Sequence, residues 1–270
     1  MPGIQMAELR RQMDQLLLAF TRPTEFHQEL TEIFDRHGLP THHGVVDVVE
    51  PAYHVPMLLE KEITELLRQP VDENPDAALR LIAELWRDRY FEIRLLATAL
   101  LGFLPARTAP MLFDRLAVMA MEESDGLMLR LLFRNATQRL RHEQADSWLE
   151  RMGEWLAASN LATQKIGLEA LYSVIEDESF ENLPPVYRML EPYLFDPRRE
   201  HDVRLRGVMK ALAQRSPAET AYYLFELAPF ITSERGQRFV RSCLPLFDET
   251  HQSLIREGLN VQKRTENHVS

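Results

Sequence analysis

Five basic side chains recur at one register along this chain: Arg94, Arg130, Lys165, Arg206 and Arg241. Each follows directly on the first position of an apolar helical stripe, about 90° from the stripe centre at 3.6 residues per turn. At that angle the aliphatic stem packs at the core boundary and the charged head reaches outward. Two kinds of chemistry suit such a column. It can bond carbonyls or acids of the neighbouring unit and tie the fold together. It can also form a basic track that follows a phosphate backbone.

Other clusters carry weaker signals. The stretch "RHGLPTHHGVVDVVEPAYH" holds His37, His42, His43 and His54 with Asp47 and Glu50. Histidines with carboxylates suit zinc or iron. The spacing here fits no motif of known mechanism, and the stretch reads as a polar loop without metal. Trp86, Tyr90, Phe91, Trp148 and Trp155 have faces on which bases can stack. Their helical spacing favours core packing instead. The chain has no glycine-rich phosphate loop, nucleophile elbow or zinc-protease helix. No cofactor is expected.

The elements that must position these residues are helices. The chain has 270 residues, 45% of them apolar, with only ten glycines. That is ample for a sizeable core and excludes disorder throughout. Leu, Ala, Glu, Arg and Met dominate, which favours helix. Cys243 is the single cysteine, so an intrachain disulfide and a cysteine metal site are excluded. The N-terminal "MPGIQMAELRRQ" lacks the apolar core of a signal peptide. The run "LLATALLGFL" is too short to span a bilayer. The expectation is a soluble, cytoplasmic protein with no membrane partner.

The net charge of −10 argues against a generally basic nucleic-acid binder. The charge is uneven, however. Residues 1–80 carry 7 basic and 14 acidic side chains, residues 81–243 carry 21 and 23, and residues 244–270 carry 3 and 4. A local basic surface can therefore form in the central block.

Helix punctuation is frequent. Asn74 with Pro75, and Ser216 with Pro217 and Glu219, read as helix starts, the second as a capping box. Helices are predicted near 5–20, 25–37, 56–69, 75–89, 91–104, 109–123, 127–142, 144–158, 161–176, 184–195, 202–215, 217–231 and 234–258, the last breaking near Pro245. Apolar positions at offsets 0, 3, 4, 7, 8 and 11 recur from Ile93, Leu129, Gln164, Leu205 and Val240, and 24 of the 30 positions are apolar. The starts lie 36, 35, 41 and 35 residues apart. That period with two helices per unit marks an α-solenoid of HEAT or armadillo type.

The expected fold is all-α: a right-handed solenoid of about six HEAT-like pairs over residues 55–259. A helical cap with the histidine-containing loop precedes it at 1–54. A disordered tail follows at 260–270.

With those residues in view, the chain resembles the HEAT-like DNA alkylation repair glycosylases over roughly residues 52–232. The similarity starts at "YHVPMLLEKEITELL", where the family has a "GV-x-x-P-x-L-R-x-x-A-K-x-I" segment. It continues through "ALRLIAELWRDRYFEIRLLATALL", where Glu92 and Arg94 approximate the family's glutamate–arginine pair with one residue inserted. "EWLAASNLATQKIGLEAL" and "DVRLRGVMKALAQRSPAE" resemble its later repeats.

Active family members place a tryptophan four residues before a catalytic aspartate. In "MEESDGL" the resemblance implies Asp125 as that aspartate, with Met121 in place of the tryptophan. Lys165 stands where an arginine grips phosphate, and Lys210 where a second tryptophan is usual. Excision of a cationic N3- or N7-alkylpurine needs a carboxylate to stabilise the oxocarbenium-like sugar. It also gains from aromatic faces that hold the charged base. Met121 cannot supply such a face, and Lys210 repels a cation. "ESDG" also reads as an ordinary interhelical turn.

Two function classes follow. One is a DNA-binding relative of the repair glycosylases with weak or absent excision, its basic column lining a concave surface that receives duplex DNA. The other is a non-enzymatic scaffold that takes a protein partner in the groove.

Overall fold

The computed structural model describes residues 6–38 and 51–266. His42, His43, Asp47 and Glu50 of the histidine-rich stretch lie outside them. The described residues are all-α, without strands. The chain divides into two compact units, Met1–Gln144 and Ala145–Ser270. The boundary falls inside the region read from sequence as one continuous array.

The first unit contains α1 (Met6–Ala19), α2 (Pro23–His37), α3 (Met57–Glu73), α4 (Pro75–Trp86), α5 (Phe91–Phe103), α6 (Ala109–Glu122), α7 (Gly126–Ala136) and α8 (Gln138–Glu143). Asn74 caps α4 as its sequence suggests: its side chain accepts from the Ala77 amide at 3.2 Å, and Pro75 takes the first helical position. Pro70 does not end α3, which runs three residues further. Val71, fully buried just past the proline, anchors that last turn.

Helix α5 is the centre of the unit and packs on α3, α4 and α7. A Cβ at Gly102 would collide with the Asn135 carbonyl of α7, so glycine permits this close approach. Beside it the Asn135 amide donates to the buried Thr98 hydroxyl at 2.9 Å.

The second unit contains α9 (Ala145–Ala157), α10 (Leu161–Ala170), α11 (Tyr172–Ile175), α12 (Pro184–Phe195), α13 (Asp202–Arg215), α14 (Pro217–Leu227), α15 (Glu234–Cys243) and α16 (Glu249–Glu266). Here α10, α13 and α15 touch in succession, and α9 packs on α10 and α12. Ser233 caps α15 by accepting from the Gly236 amide at 3.0 Å. The expected capping box at Ser216 does not form, because its side chain accepts no bond from the first turn of α14.

The repeated apolar register describes the core well. All twelve positions counted from Ile93 and Leu129 are buried, including Thr137, whose hydroxyl is satisfied by the Phe133 carbonyl at 2.6 Å. That bond sits at the break between α7 and α8, which the sequence presents as one helix. Another break, at Leu171, likewise separates α10 from α11. The final helix breaks around Pro245 as predicted. Helix α16 then continues to Glu266, seven residues into the stretch expected as tail.

Candidate nucleic-acid interface

The basic register residues fall on α5 and α7 in the first unit and on α10, α13 and α15 in the second. They divide into two kinds. Arg94 is turned inward: its side chain is 11% exposed, forms an ion pair with Glu123, and lies over the Trp86 ring at 4.3 Å from the centroid. Glu123 also accepts from the Asp125 amide at 2.6 Å. Arg94 therefore ties α5 to the turn between α6 and α7 and presents no free head to solvent. Arg130, on α7, is exposed.

In the second unit the residues lie along three touching helices. Arg206 is exposed and reaches the Ser242 carbonyl at the end of α15, at 3.4 Å. This places its guanidinium next to the residue that follows Arg241. Arg241 is exposed and donates to Gln237 one turn earlier, at 3.1 Å. Lys165 is half-buried on α10. Lys210, four residues after Arg206, is exposed and shares its helix face.

Together α10, α13 and α15 carry eight basic and three acidic side chains. Each acid has an arginine partner within the same row: Glu169 with Arg204 at 2.8 Å, Asp202 with Arg235 at 3.1 Å, and Glu234 with Arg238 at 3.3 Å. Lys165, Arg206, Lys210, Arg215 and Arg241 make up the excess. Helices α9, α12 and α14 carry two basic and six acidic side chains. A chain with ten net negative charges thus separates its charge within this unit, basic on one helix row and acidic on these three helices.

Asp125 sits at the N-cap of α7, where its carboxylate accepts from the Met128 amide at 2.8 Å. Its geometry is that of a helix cap. Met121 is 58% exposed, so no aromatic wall faces solvent at that position. The tryptophans are core: Trp148 is fully buried, donates to the Ser173 hydroxyl at 3.0 Å, and meets Trp155 edge-on at 5.6 Å.

Around the first unit's start, Tyr53 stacks on Tyr90 at 4.1 Å. The buried Glu92 accepts the Tyr53 and His54 amides at 3.0 and 2.6 Å. His54 has φ of 53°, a left-handed conformation held by that carboxylate clamp. His37 bonds Gln12 at 3.2 Å. No group of three metal-ligating side chains occurs among the described residues. No single described helix is long and apolar enough to cross a membrane.

The sequence singled out the basic register but missed its neighbours. Lys210 draws notice in the sequence only as a lost aromatic, and His201 carries no local signal at all. The latter is 1% exposed, and neither ring nitrogen has a hydrogen-bond partner among the described residues. Burial, with Arg198 as the next contribution, pushes its pKa below the usual histidine value.

The family profile described as "DNA alkylation repair enzyme" matches residues 51–219, which include α3 to α13. No curated protein matches the chain significantly.

Proposed function

The chain belongs to the DNA alkylation repair enzyme family, and we propose that it binds duplex DNA through the basic helix row α10–α13–α15. We further propose that its helix pairs form a HEAT-like solenoid and that alkylpurine excision through Asp125 is weak or absent. The observation that carries the binding reading is the separation of charge in the second unit. Five basic side chains in excess lie on three adjacent helices of a chain that is acidic overall. Adjacent packed helices lie about 8–10 Å apart, so the row gathers these cations on neighbouring helices, where several can meet one phosphate backbone.

The loss of chemistry rests on different residues. Asp125 is engaged as a cap, and the two positions where the family carries aromatic faces are methionine and lysine. A cationic base is repelled by Lys210 rather than held. The remaining cations bind phosphate without reading sequence.

A second reading, a protein-interaction scaffold, draws on Arg94, whose charge is used internally by Glu123. Titration of an unmodified duplex oligonucleotide across a salt series separates the two. DNA binding predicts affinity that falls steeply and linearly in log–log form with salt. Absence of duplex binding at low salt overturns it and leaves the scaffold. Release of N3-methyladenine from alkylated duplex at an enzymatic rate would overturn the loss of chemistry.

A further inference from the structure

The stretch "AYYLFELAPF" places Tyr222, Phe225, Glu226 and Phe230 on one side of α14 and of the 3₁₀ turn Ala228–Phe230 that continues it. Core packing accounts for the opposite side, where Ala221, Leu224 and Ala228 are fully buried. It does not account for Tyr222 and Phe230, which are 57% and 69% exposed. The Tyr222 and Phe225 rings lie 6.1 Å apart. Aromatic side chains gathered in water along one side of a helix suit a surface that a partner covers.

Carboxylates surround these rings. Glu226, one turn after Tyr222, bonds the Tyr222 hydroxyl and raises its pKa. Glu219 stands one turn before it and is exposed. Glu191 reaches the same place from α12, where its charge acts on Tyr223. The Tyr223 hydroxyl ties the two helices together by donating to the Tyr187 carbonyl at 2.8 Å. None of these three carboxylates pairs with a cation among the described residues. The acids on α10, α13 and α15, by contrast, each have an arginine partner.

An aromatic face with a glutamate beside it is how this chain receives its own arginines. The Arg94 guanidinium lies over Trp86 and pairs with Glu123. The Arg68 guanidinium lies over Phe103 at 4.1 Å and donates to Glu65 at 2.9 Å. Tyr222 and Glu226 present the same two groups toward solvent. Cation–π attraction and charge pairing both favour a guanidinium there. Nucleic acid, anionic lipid and a second copy of the same face are all repelled by the carboxylates.

We propose that this side of α14 docks an arginine-bearing segment of a partner protein. One guanidinium lies over Tyr222 and pairs with Glu226. An apolar side chain of the segment covers Phe230, while Glu191 and Glu219 attract further basic residues. This surface and the proposed DNA contacts on α10, α13 and α15 are carried by different helices, so the inference does not rest on the DNA reading.

The test uses the full chain and a short fluorescein-labelled peptide of alternating arginine and leucine, read by fluorescence anisotropy at fixed salt. The chain is expected to bind this peptide and not its glutamate–leucine counterpart. Tyr222→Ala and Glu226→Gln should each weaken binding about fivefold, as loss of one cation–π contact or one charged hydrogen bond would. Tyr222→Phe keeps the ring and should retain most of the affinity. Glu150→Gln removes the same charge from an exposed position on α9, whose principal neighbours are α10 and α12, and should change affinity less than about twofold. Tyr222 and Glu226 are exposed, so the variants keep the fold, which circular dichroism checks. No binding of the arginine peptide, or equal losses in Glu226→Gln and Glu150→Gln, overturns the proposal. Self-association of the chain alone that is lost in Tyr222→Ala assigns the face to a second copy and likewise overturns it. No nucleic acid enters the measurement, so failure of duplex binding leaves the result standing.

Discussion

Arg94 and Glu123 form an ion pair in which both side chains are almost out of water, 11% and 5% exposed, with the guanidinium laid over Trp86. The pair joins α5 to the end of α6, and Glu123 also holds the Asp125 amide. Removing one partner leaves a charge with little solvent to receive it. Arg94→Met is therefore expected to destabilise the protein by about 3–5 kcal/mol in urea unfolding. The double variant Arg94→Met/Glu123→Met should recover most of that loss, because no buried charge is stranded. Duplex affinity of the folded single variant should match the parent, since this arginine does not face solvent. A large drop in affinity at unchanged stability would assign Arg94 to the binding surface.

Asp125 gives a prediction in which two substitutions part company. As the N-cap of α7 it satisfies the Met128 amide. Asp125→Ala should cost about 1 kcal/mol of stability, while Asp125→Asn keeps a capping oxygen and should cost much less. Release of N3-methyladenine or N7-methylguanine from alkylated duplex should stay at background in the parent and be unchanged in Asp125→Asn. Chromatography of released bases, beside unfolding curves of both variants, checks the two halves. Activity that vanishes in the asparagine variant would make this aspartate catalytic.

The helices could be read from the sequence because their signals are local. Apolar residues at 3.6-residue spacing mark one buried face, and Asn74–Pro75 or the break at Pro245 marks an end without reference to distant residues. Family likeness was legible for a related reason: a profile matches residue patterns along the chain, here over residues 51–219. What escaped depends on interactions between residues far apart along the chain. Glu123 is 29 residues from Arg94, so the sequence alone could not say that this member of the register points inward. The excess of charge on α10, α13 and α15 becomes a surface only when those helices are known to touch. Ser216 shows the converse, a strong local cap signature that the folded chain does not use.

Glu60 sets a pH dependence. Burial, reinforced by the nearby Glu92 carboxylate, pushes its pKa up to about 7 from an ordinary value of 4.5. The folded chain thus holds a proton that the unfolded chain has released between those values. By linkage, this group's contribution to stability is fully present below about 4.5 and is lost as pH rises through about 7. The slope from one proton is at most about 1.4 kcal/mol per pH unit. Glu60→Gln, which cannot ionise, should flatten that part of the profile and be more stable than the parent at pH 8. Urea unfolding at intervals from pH 5 to 8 measures both. A parent profile identical to that of the glutamine variant would show that Glu60 titrates normally.

The basic row can be tested residue by residue, with a control on the acidic helices. Arg206, Lys210 and Arg241 are exposed, and only weak or local hydrogen bonds engage the two arginines. Replacing any of them with alanine should change stability by no more than about 0.5 kcal/mol. Removing one phosphate-binding cation should weaken duplex binding and make the log–log salt dependence shallower by about 0.9. The loss should be similar on unrelated sequences, because phosphate binding carries no base information. Reversal to glutamate should weaken binding further by adding repulsion. Arg188, exposed on α12, provides the comparison: it lies among the acidic helices, and Arg188→Glu should leave affinity and salt slope unchanged. Fluorescence anisotropy of a labelled duplex over a salt series reads both quantities. Equal losses at Arg188 and Arg206 would show that net charge governs the interaction, with no defined face on α10, α13 and α15.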